Sequence, residues 1–372
     1  MEYKFSTPMP CDKEKIQALT KINNEVEKSK ITSLYFALPI NSPEKTGFEQ
    51  LRTIDEQHFS FEDFIPYIEL TKKSGFDFIY LLNSPKPLLY ESDFLDEQLE
   101  KLDSLINRLR KLGCYKYRLC NVQLIDYLSK KYTDIEIYAS TSLEYQNIKQ
   151  YINFMELYPN IKEIVPAVDL NKNFKLLKNL KQKFPGLIIE LMVNEGCLYS
   201  CPLRYLHNLS LPYSTLTDEY QNSDFYTFFL KSCFKLSAKH IYEHICNHNI
   251  IYPWEIDDYG KIGVENFKIV GRNAIGIALN KYVEYYLAFF KGIDNYNNIK
   301  NIPIYYFNHY FSDGSLPFTV NELRKYLPNI KHFKKYGHLC SSSCGITCNY
   351  CEKCAQKIQK DFSNRMKKYI KY

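Results

Sequence analysis

The densest concentration of reactive side chains is a run of five cysteines near the C-terminal end of the chain. The segment CSSSCGITCNYCEKC separates them by three, three, two and two residues. They are Cys340, Cys344, Cys348, Cys351 and Cys354. Thiolates at such short spacings bind zinc or an iron–sulfur cluster, and four thiolates complete either site. We therefore expect a metal site in this run, in which one thiol is spare or reaches a second site.

A second group of cysteines lies in and after the segment NEGCLYSCPLRYLH (194–207). Three residues separate Cys197 from Cys201 on a turn that leaves a predicted strand, so both thiols are able to face one metal. With Cys233 and Cys246 they make a four-thiolate set for a [4Fe–4S] cluster or zinc. Nearby histidines are alternative ligands, although surface or capping histidines are more common. They are His207, His240, His244 and His248.

Charged residues near these cysteines are candidates for contact with a substrate. Glu195 and Arg204 flank the cysteine pair, and Glu195 suits acid–base chemistry or holds the loop by hydrogen bonds. Lys268 and Arg272 lie on or just after a late predicted strand, where the rim of a barrel would bind an anionic or carbonyl group. The alternative for these two residues is a solvated pair at the end of the strand.

A regular alternation of short apolar strands and amphipathic helices must position these residues. Strands are predicted at 31–39, 76–83, 116–121, 135–140, 161–167, 187–194 and 265–272, and helices at 58–75, 93–113, 124–132, 171–184 and 273–292. This order indicates a parallel sheet with helical crossovers, covered on both faces. The pattern leaves a barrel and an open doubly wound sheet as alternatives, although no glycine-rich dinucleotide fingerprint follows the first strands.

Composition limits the class of protein. The 372 residues are 45% hydrophobic and 24% charged, which excludes a disordered chain, and the net charge of +6 is too small to indicate nucleic-acid binding by itself. No long apolar run and no signal-peptide core occurs, so we expect a cytoplasmic protein without a membrane span. In a reducing compartment, clustered cysteines indicate metal or redox chemistry more than disulfides.

The chain is predicted to divide into two parts. Residues 1–292 form the α/β part, and residues 293–372 contain a polar linker, the cysteine run and a basic terminal helix. The segment 355–372 carries six Lys or Arg residues and one Asp. A solvated helix face explains this charge, and contact with RNA phosphates is the alternative.

Four segments, in order along the chain, resemble the peptidase U32 family of collagenase-like TIM-barrel proteins. They are IEIYASTSLEYQN (135–147), IKEIVPAVDLN (161–171), IELMVNEGCLYSCPLRYLH (189–207) and IIYPWEIDDYGKIGVENFKIVGR (250–272). The resemblance implies a TIM-like (β/α) barrel. It also implies a cysteine-bound [4Fe–4S] cluster, because several relatives use one in oxygen-independent hydroxylation of RNA or of a quinone precursor, while others are peptidases. The chain differs from many members at Val270, where an acidic residue is common, and in the shorter spacing of Cys197 and Cys201.

Three functions are consistent with these features. Our main prediction is an iron–sulfur-dependent redox enzyme that hydroxylates or otherwise modifies an RNA, a peptide or a small molecule. It would hold one [4Fe–4S] cluster in the barrel and a second in the C-terminal run, with an electron donor as partner. The alternative is a U32-type peptidase, for which the absence of an HExxH motif and of an evident Ser-His-Asp set leaves a cysteine nucleophile. The third is a binding or accessory protein stabilised by zinc.

Overall fold

The chain folds around a closed barrel of eight parallel strands arranged in chain order. The computed structural model describes residues 2–38, 42–49, 60–85, 92–195, 197–210, 231–233, 235–236, 240–246, 249–271, 277–291, 300–303 and 315–367. The barrel strands are β1 (Tyr3–Pro8), β2 (Ser29–Phe36), β3 (Asp77–Leu82), β4 (Lys116–Leu119), β5 (Glu136–Ala139), β6 (Ile161–Ile164), β7 (Ile188–Met192) and β8 (Asn266–Lys268). The predicted TIM-like α/β barrel is therefore confirmed.

Helices surround the barrel and form most of the described C-terminal part. Around the barrel lie α1 (Lys13–Asn24), α2 (Phe61–Lys73), α3 (Ser92–Lys111), α4 (Val122–Lys131), α5 (Ile148–Leu157), α6 (Phe174–Lys183), α7 (Arg204–Ser210), α8 (Ile241–Ile245), α9 (Ile256–Gly260) and α10 (Ile277–Ala288). The chain then forms the antiparallel pair β9 (Lys300–Pro303) and β10 (Ser315–Thr319), followed by α11 (Val320–Tyr326), α12 (Ile330–Tyr336), α13 (Cys340–Ser343) and α14 (Tyr350–Met366). Among the described residues, no helix combines the length and the apolar composition needed to cross a membrane.

The barrel closes where the last strand pairs with the first. β8 pairs in parallel with both β7 and β1, and Phe267 lies opposite Leu191 on one side and Phe5 on the other. The apolar pattern predicts a longer last strand at 265–272 and does not predict β1. The six residues of β1 end in a proline and become recognisable as a strand only because β2 and β8 both pair with them.

Alternate side chains of the strands face either the helices or the barrel interior. On the outer face, Phe5 and Leu191 join helix residues such as Leu128 in the main hydrophobic core. Inside the barrel, Tyr35 and Leu81 belong to a small separate apolar cluster. The large outer core holds the helices on the barrel, and the interior is left for polar groups and the site.

The barrel interior contains a buried group of charges. Arg118 of β4 is 1% exposed and contacts Glu163 of β6 and Glu190 of β7, with 2.8 Å between Arg118 Nη2 and Glu190 Oε2. Burial and the adjacent Glu190 carboxylate raise the pKa of Glu163 to about 8, while the charges of Arg118 and Lys268 oppose that rise. The guanidinium of Arg118 is therefore the main positive charge that compensates two carboxylates in a desolvated interior.

The described C-terminal part packs against helices of the barrel. α14 lies against α8, and the 3₁₀ turn Gly337–Leu339 lies against α6. A Cβ atom at Gly337 would lie 2.0 Å from the carbonyl oxygen of Lys172, so only glycine permits this approach. The predicted boundary between the two parts of the chain, at 292–293, lies outside the described residues.

We expect Arg118→Met to reduce the free energy of unfolding by about 3–5 kcal/mol, because it leaves Glu163 and Glu190 buried without their cation. Urea denaturation at neutral pH measures this loss. The control is Arg110→Met, which breaks an ion pair with the partly exposed Asp134 and should cost about 1 kcal/mol or less. Similar small losses in both variants would show that the interior carboxylates do not need Arg118.

Candidate functional site

A cavity of about 90 Å³ opens at the carboxyl ends of the barrel strands, and we call it the rim cavity. Its lining follows successive strands, with Asn83 after β3, Ser140 after β5, Val165 after β6 and Glu195 after β7. The lining also includes Glu144, Cys197, Arg204, His207, Asn208 and Lys268. Parallel strands all end at this edge, which is where TIM-barrel enzymes bind their substrates.

Hydrogen bonds hold Cys197 at the wall of the rim cavity. The N–H of Cys197 donates to Glu195 Oε1 at 3.2 Å, and its carbonyl oxygen accepts from Asn249 Nδ2 at 2.8 Å. Ser200 has a φ of 50°, and its N–H donates to Asp169 Oδ1 at 3.2 Å. Glu195 therefore holds the loop through its hydrogen bond with Cys197 and also lines the cavity.

Arg204 is the cation next to the cysteine pair. Its Nη1 lies 2.7 Å from Asp169 Oδ2, and its Nε donates to Cys197 Sγ at 3.3 Å. Its Nη2 donates to the carbonyl oxygen of Leu198. The side chain is 9% exposed, so the rigid guanidinium orients the Cys197 sulfur from a largely desolvated position.

Cys197 and Cys201 share a hydrogen bond that separates their pKa values. The bond that Cys197 donates lowers the pKa of Cys201 to about 6. The same bond, followed by burial, raises the pKa of Cys197. The pair therefore holds one proton and carries one negative charge at neutral pH, beside Arg204.

The sequence patterns do not single out Glu144, which the structure places in the rim cavity. Its φ of 52° is a left-handed conformation that residues with a side chain rarely adopt. Asn208 Nδ2 donates to Glu144 Oε1 at 3.0 Å. Burial raises the pKa of Glu144 to about 7, although the charge of Arg204 opposes the rise. The signal that the sequence offers is its position in a polar loop directly after strand β5.

Lys268, the last residue of β8, lines the same cavity. Its Nζ lies 4.1 Å from the centroid of the Tyr35 ring, and the residue is 8% exposed. A cation held in this way at a largely buried wall is suited to a carbonyl or carboxylate oxygen of a substrate. Arg272, the other basic residue that the sequence indicates here, lies outside the described residues.

A second cavity, of about 270 Å³, lies where α8 meets the C-terminal part, and we call it the thiol cavity. Its cysteines are Cys246, Cys340, Cys344, Cys348 and Cys351. His332 also lines it, with Nε2 3.9 Å from Cys348 Sγ. Burial raises the pKa of Cys340, Cys344 and Cys351, and the charges of neighbouring thiolates raise it further. Positive charge from a metal centre would relieve this repulsion.

The structure distributes the middle group of cysteines between the two cavities. Cys197 lines the rim cavity and Cys246 lines the thiol cavity, while Cys233 is in the lining of neither. Of the C-terminal run, Cys354 is packed into the main hydrophobic core. The four cysteines expected to form a barrel cluster are therefore not gathered around one cavity.

The predicted histidines are also spread over the structure. His207 lines the rim cavity, His240 lines the thiol cavity with its Nδ1 2.9 Å from Glu243 Oε1, and His244 is buried. His248 lies outside the described residues.

The chemistry of the thiol cavity favours a cluster over a single ion. Within the described parts of the chain, no three His, Cys, Asp or Glu side chains are grouped so as to hold one metal ion. Zinc requires four ligands within about 2.3 Å of one point, whereas a [4Fe–4S] cluster bonds each thiolate to a different iron. Five cysteines line one cavity of about 270 Å³, so the chain has enough thiols there for the second arrangement.

We expect the stability of the protein to fall as the pH rises from about 5 to 8, because Glu144 binds its proton more tightly in the folded state than in the unfolded chain. Its stabilising contribution is complete below the ordinary pKa of 4.5 and is lost as the pH rises through about 7. Glu144→Gln should therefore reduce this fall by about 1–3 kcal/mol. Urea denaturation at several pH values measures it, with the exposed Glu156→Gln as control. Parallel profiles for all three proteins would contradict the shift.

Comparison with known proteins gives a similarity along nearly the whole chain. No protein-family profile matches the chain. It is 21% identical over 382 aligned residues to the uncharacterized protease MJ1657 of Methanocaldococcus jannaschii, covering 96% of this chain and 99% of that protein. Among solved structures, it is similar to the U32 peptidase Mk0906, with a TM-score of 0.44 and 12% identity over 60% of this chain and 83% of that one. An α-amylase from Lactobacillus plantarum gives a TM-score of 0.38 at 9% identity, over 78% of this chain and 80% of that one.

The similarity in sequence includes the four segments that resemble the U32 family. The relative in this alignment is named as a protease. The alignment covers 96% of this chain, so it extends over both the barrel and the C-terminal cysteine run. The chain is thus similar over nearly its whole length to a protein named as a protease, and it has the closed eight-stranded barrel that the four segments predict.

Proposed function

We propose that the chain is a peptidase whose reaction takes place in the rim cavity, with Cys197 as the nucleophile. The observation that carries this proposal is the contact of the Cys197 sulfur with Arg204 Nε at 3.3 Å, at the wall of a cavity on the catalytic edge of the barrel. Similarity to a protein named as a protease supports it.

The separation of the middle cysteines favours a nucleophile over a metal ligand at Cys197. A cluster at the rim would need further thiolates, but Cys246 lines the thiol cavity instead. Cys197 has Cys201 and the guanidinium of Arg204 among its neighbours. The Cys201 thiolate is positioned to accept the proton of Cys197, and the charge of Arg204 then stabilises the Cys197 thiolate that forms.

The remaining groups of the cavity have roles in peptide hydrolysis. Cys197 passes its proton to the Cys201 thiolate, and the Cys197 sulfur then attacks the carbonyl carbon of the peptide bond. Lys268 stabilises the negative charge that develops on the carbonyl oxygen. The carbon–nitrogen bond then breaks, and Glu144 donates a proton to the departing amine. Water hydrolyses the resulting thioester, returns a proton to Glu144 and releases the acid product. Arg204 acts through Cys197 and is a positioning residue.

We expect Cys197→Ser to lower the rate of peptide hydrolysis by about 100-fold or more, because the hydroxyl is a far weaker nucleophile than the thiolate. A library of fluorescence-quenched peptides, assayed with reductant present, measures this rate. The control is Cys114→Ser, because Cys114 is buried before β4 at the opposite edge of the barrel. Hydrolysis by Cys197→Ser at the original rate, or no cleavage of any peptide by the unaltered protein, would reject the proposal.

The second candidate function is an iron–sulfur-dependent redox enzyme that modifies an RNA, a peptide or a small molecule. The thiol cavity favours it, because four cysteines of the C-terminal run line one space whose size suits a cluster. Cys340, Cys344, Cys348 and Cys351 would hold the cluster, which supplies one-electron chemistry when bound. An electron donor would then be a necessary partner. Zinc in the same cavity is the alternative that would leave a purely structural site.

We expect the anaerobically purified chain to contain about four iron atoms and to absorb broadly near 400 nm, because one [4Fe–4S] cluster fits the thiol cavity. Iron and sulfide analysis with a visible spectrum measures this. Cys348→Ala should lose the iron, whereas the matched change at the rim, Cys201→Ala, should retain it. Iron lost only from Cys201→Ala would place the cluster at the rim, and zinc without iron would reject the redox function.

A further inference from the structure

One short loop forms the wall between the two cavities. Cys197 faces the rim cavity, whereas the next two residues, Leu198 and Tyr199, line the thiol cavity. We call residues 197–201 the rim loop. A group bound in the thiol cavity would therefore rest against the segment that positions the Cys197 sulfur.

We propose that the rim loop is fixed through Tyr199 when Cys340, Cys344, Cys348 and Cys351 hold a [4Fe–4S] cluster, so that cofactor loading controls the exposure of Cys197. This inference rests on the cofactor of the second candidate function. It holds equally whether the rim reaction is hydrolysis or a redox modification.

Local structure brings the four proposed ligands to the same side of the thiol cavity. The chain reverses between Cys344 and Cys348, with the N–H of Gly345 donating to the carbonyl oxygen of Cys348 at 2.9 Å. Gly345 has a φ of 77°, which glycine adopts without strain. Cys351 follows in the first turn of α14. A tight turn between two helices therefore directs these thiols into one space.

Two further cysteines nearby are not needed as ligands. Cys354 is packed into the main hydrophobic core beside Ala355 and Ile358 and is absent from the cavity lining. Cys246 reaches the cavity from the barrel side but is 2% exposed and belongs to the same core. The four remaining thiols of the C-terminal run satisfy one cluster, and the fifth cysteine of that run is the spare one.

The contacts of the rim loop connect its two faces. Arg204 donates to the carbonyl oxygen of Leu198, on the side of the thiol cavity, and to the sulfur of Cys197, on the side of the rim cavity. A shift of Tyr199 moves the Leu198 carbonyl and thereby the guanidinium that holds Cys197. By linkage, occupancy of the rim cavity would affect the retention of the cofactor to the same degree.

Alkylation of Cys197 by iodoacetamide, followed by peptide mass spectrometry, tests this coupling in the full chain. We expect Cys197 to react about 10-fold faster in Cys351→Ala, which lacks the cluster, than in the cluster-loaded protein.

Cys354→Ala and Cys246→Ala are the matched controls and should retain both iron and slow alkylation. Tyr199→Ala should retain iron but alkylate as fast as Cys351→Ala. Circular dichroism checks that each variant is folded, and removal of iron by a chelator from the unaltered protein gives the same comparison without a mutation.

The outcomes separate the parts of the proposal. Failure of the reconstituted protein to bind iron would overturn it and the redox function, and would leave the peptidase proposal intact. Loss of iron from Cys354→Ala or Cys246→Ala would overturn the ligand set. Equal alkylation rates with and without iron would overturn the coupling while leaving the cofactor in place.

Discussion

Both cavities depend on the pairing of β8 with β1, which closes the sheet into a barrel. Closure brings the carboxyl ends of all the strands around one axis. Closure therefore places three residues around a single cavity. They are Glu144 after β5, Cys197 after β7 and Lys268 at the end of β8. An open sheet with the same strands would leave the first and last of its loops far apart, and the site would not form.

Two buried guanidinium groups support the barrel at different levels. In the interior, Arg118 compensates Glu163 and Glu190. At the rim, Arg204 compensates Asp169 and orients the Cys197 sulfur. Arg118 contacts both carboxylates through Nη2 alone, whereas Arg204 uses three different nitrogens for its three contacts. The interior group contributes to stability, while the rim group positions a reactive atom.

The C-terminal cysteine run and the barrel are parts of one arrangement. Gly337 allows the C-terminal part to lie against Lys172 of the barrel, and α14 lies against α8, so the thiol cavity has walls from both parts. The rim loop is common to both cavities. A group bound in the thiol cavity would therefore contact the loop that carries Cys197.

The sequence by itself determined the alternation of strands and helices and the metal-like spacing of the C-terminal cysteines, and it indicated Cys197, Arg204 and Lys268, which line one cavity. These follow from local periodicity and from spacing along the chain, which a sequence records directly. Only the tertiary structure decided that the sheet closes through the unpredicted strand β1, that Cys246 and Cys197 line different cavities, and that Glu144 lies in the rim cavity with a raised pKa. The physical reason is that strand pairing, burial and the direction of a side chain depend on contacts between residues far apart in the chain.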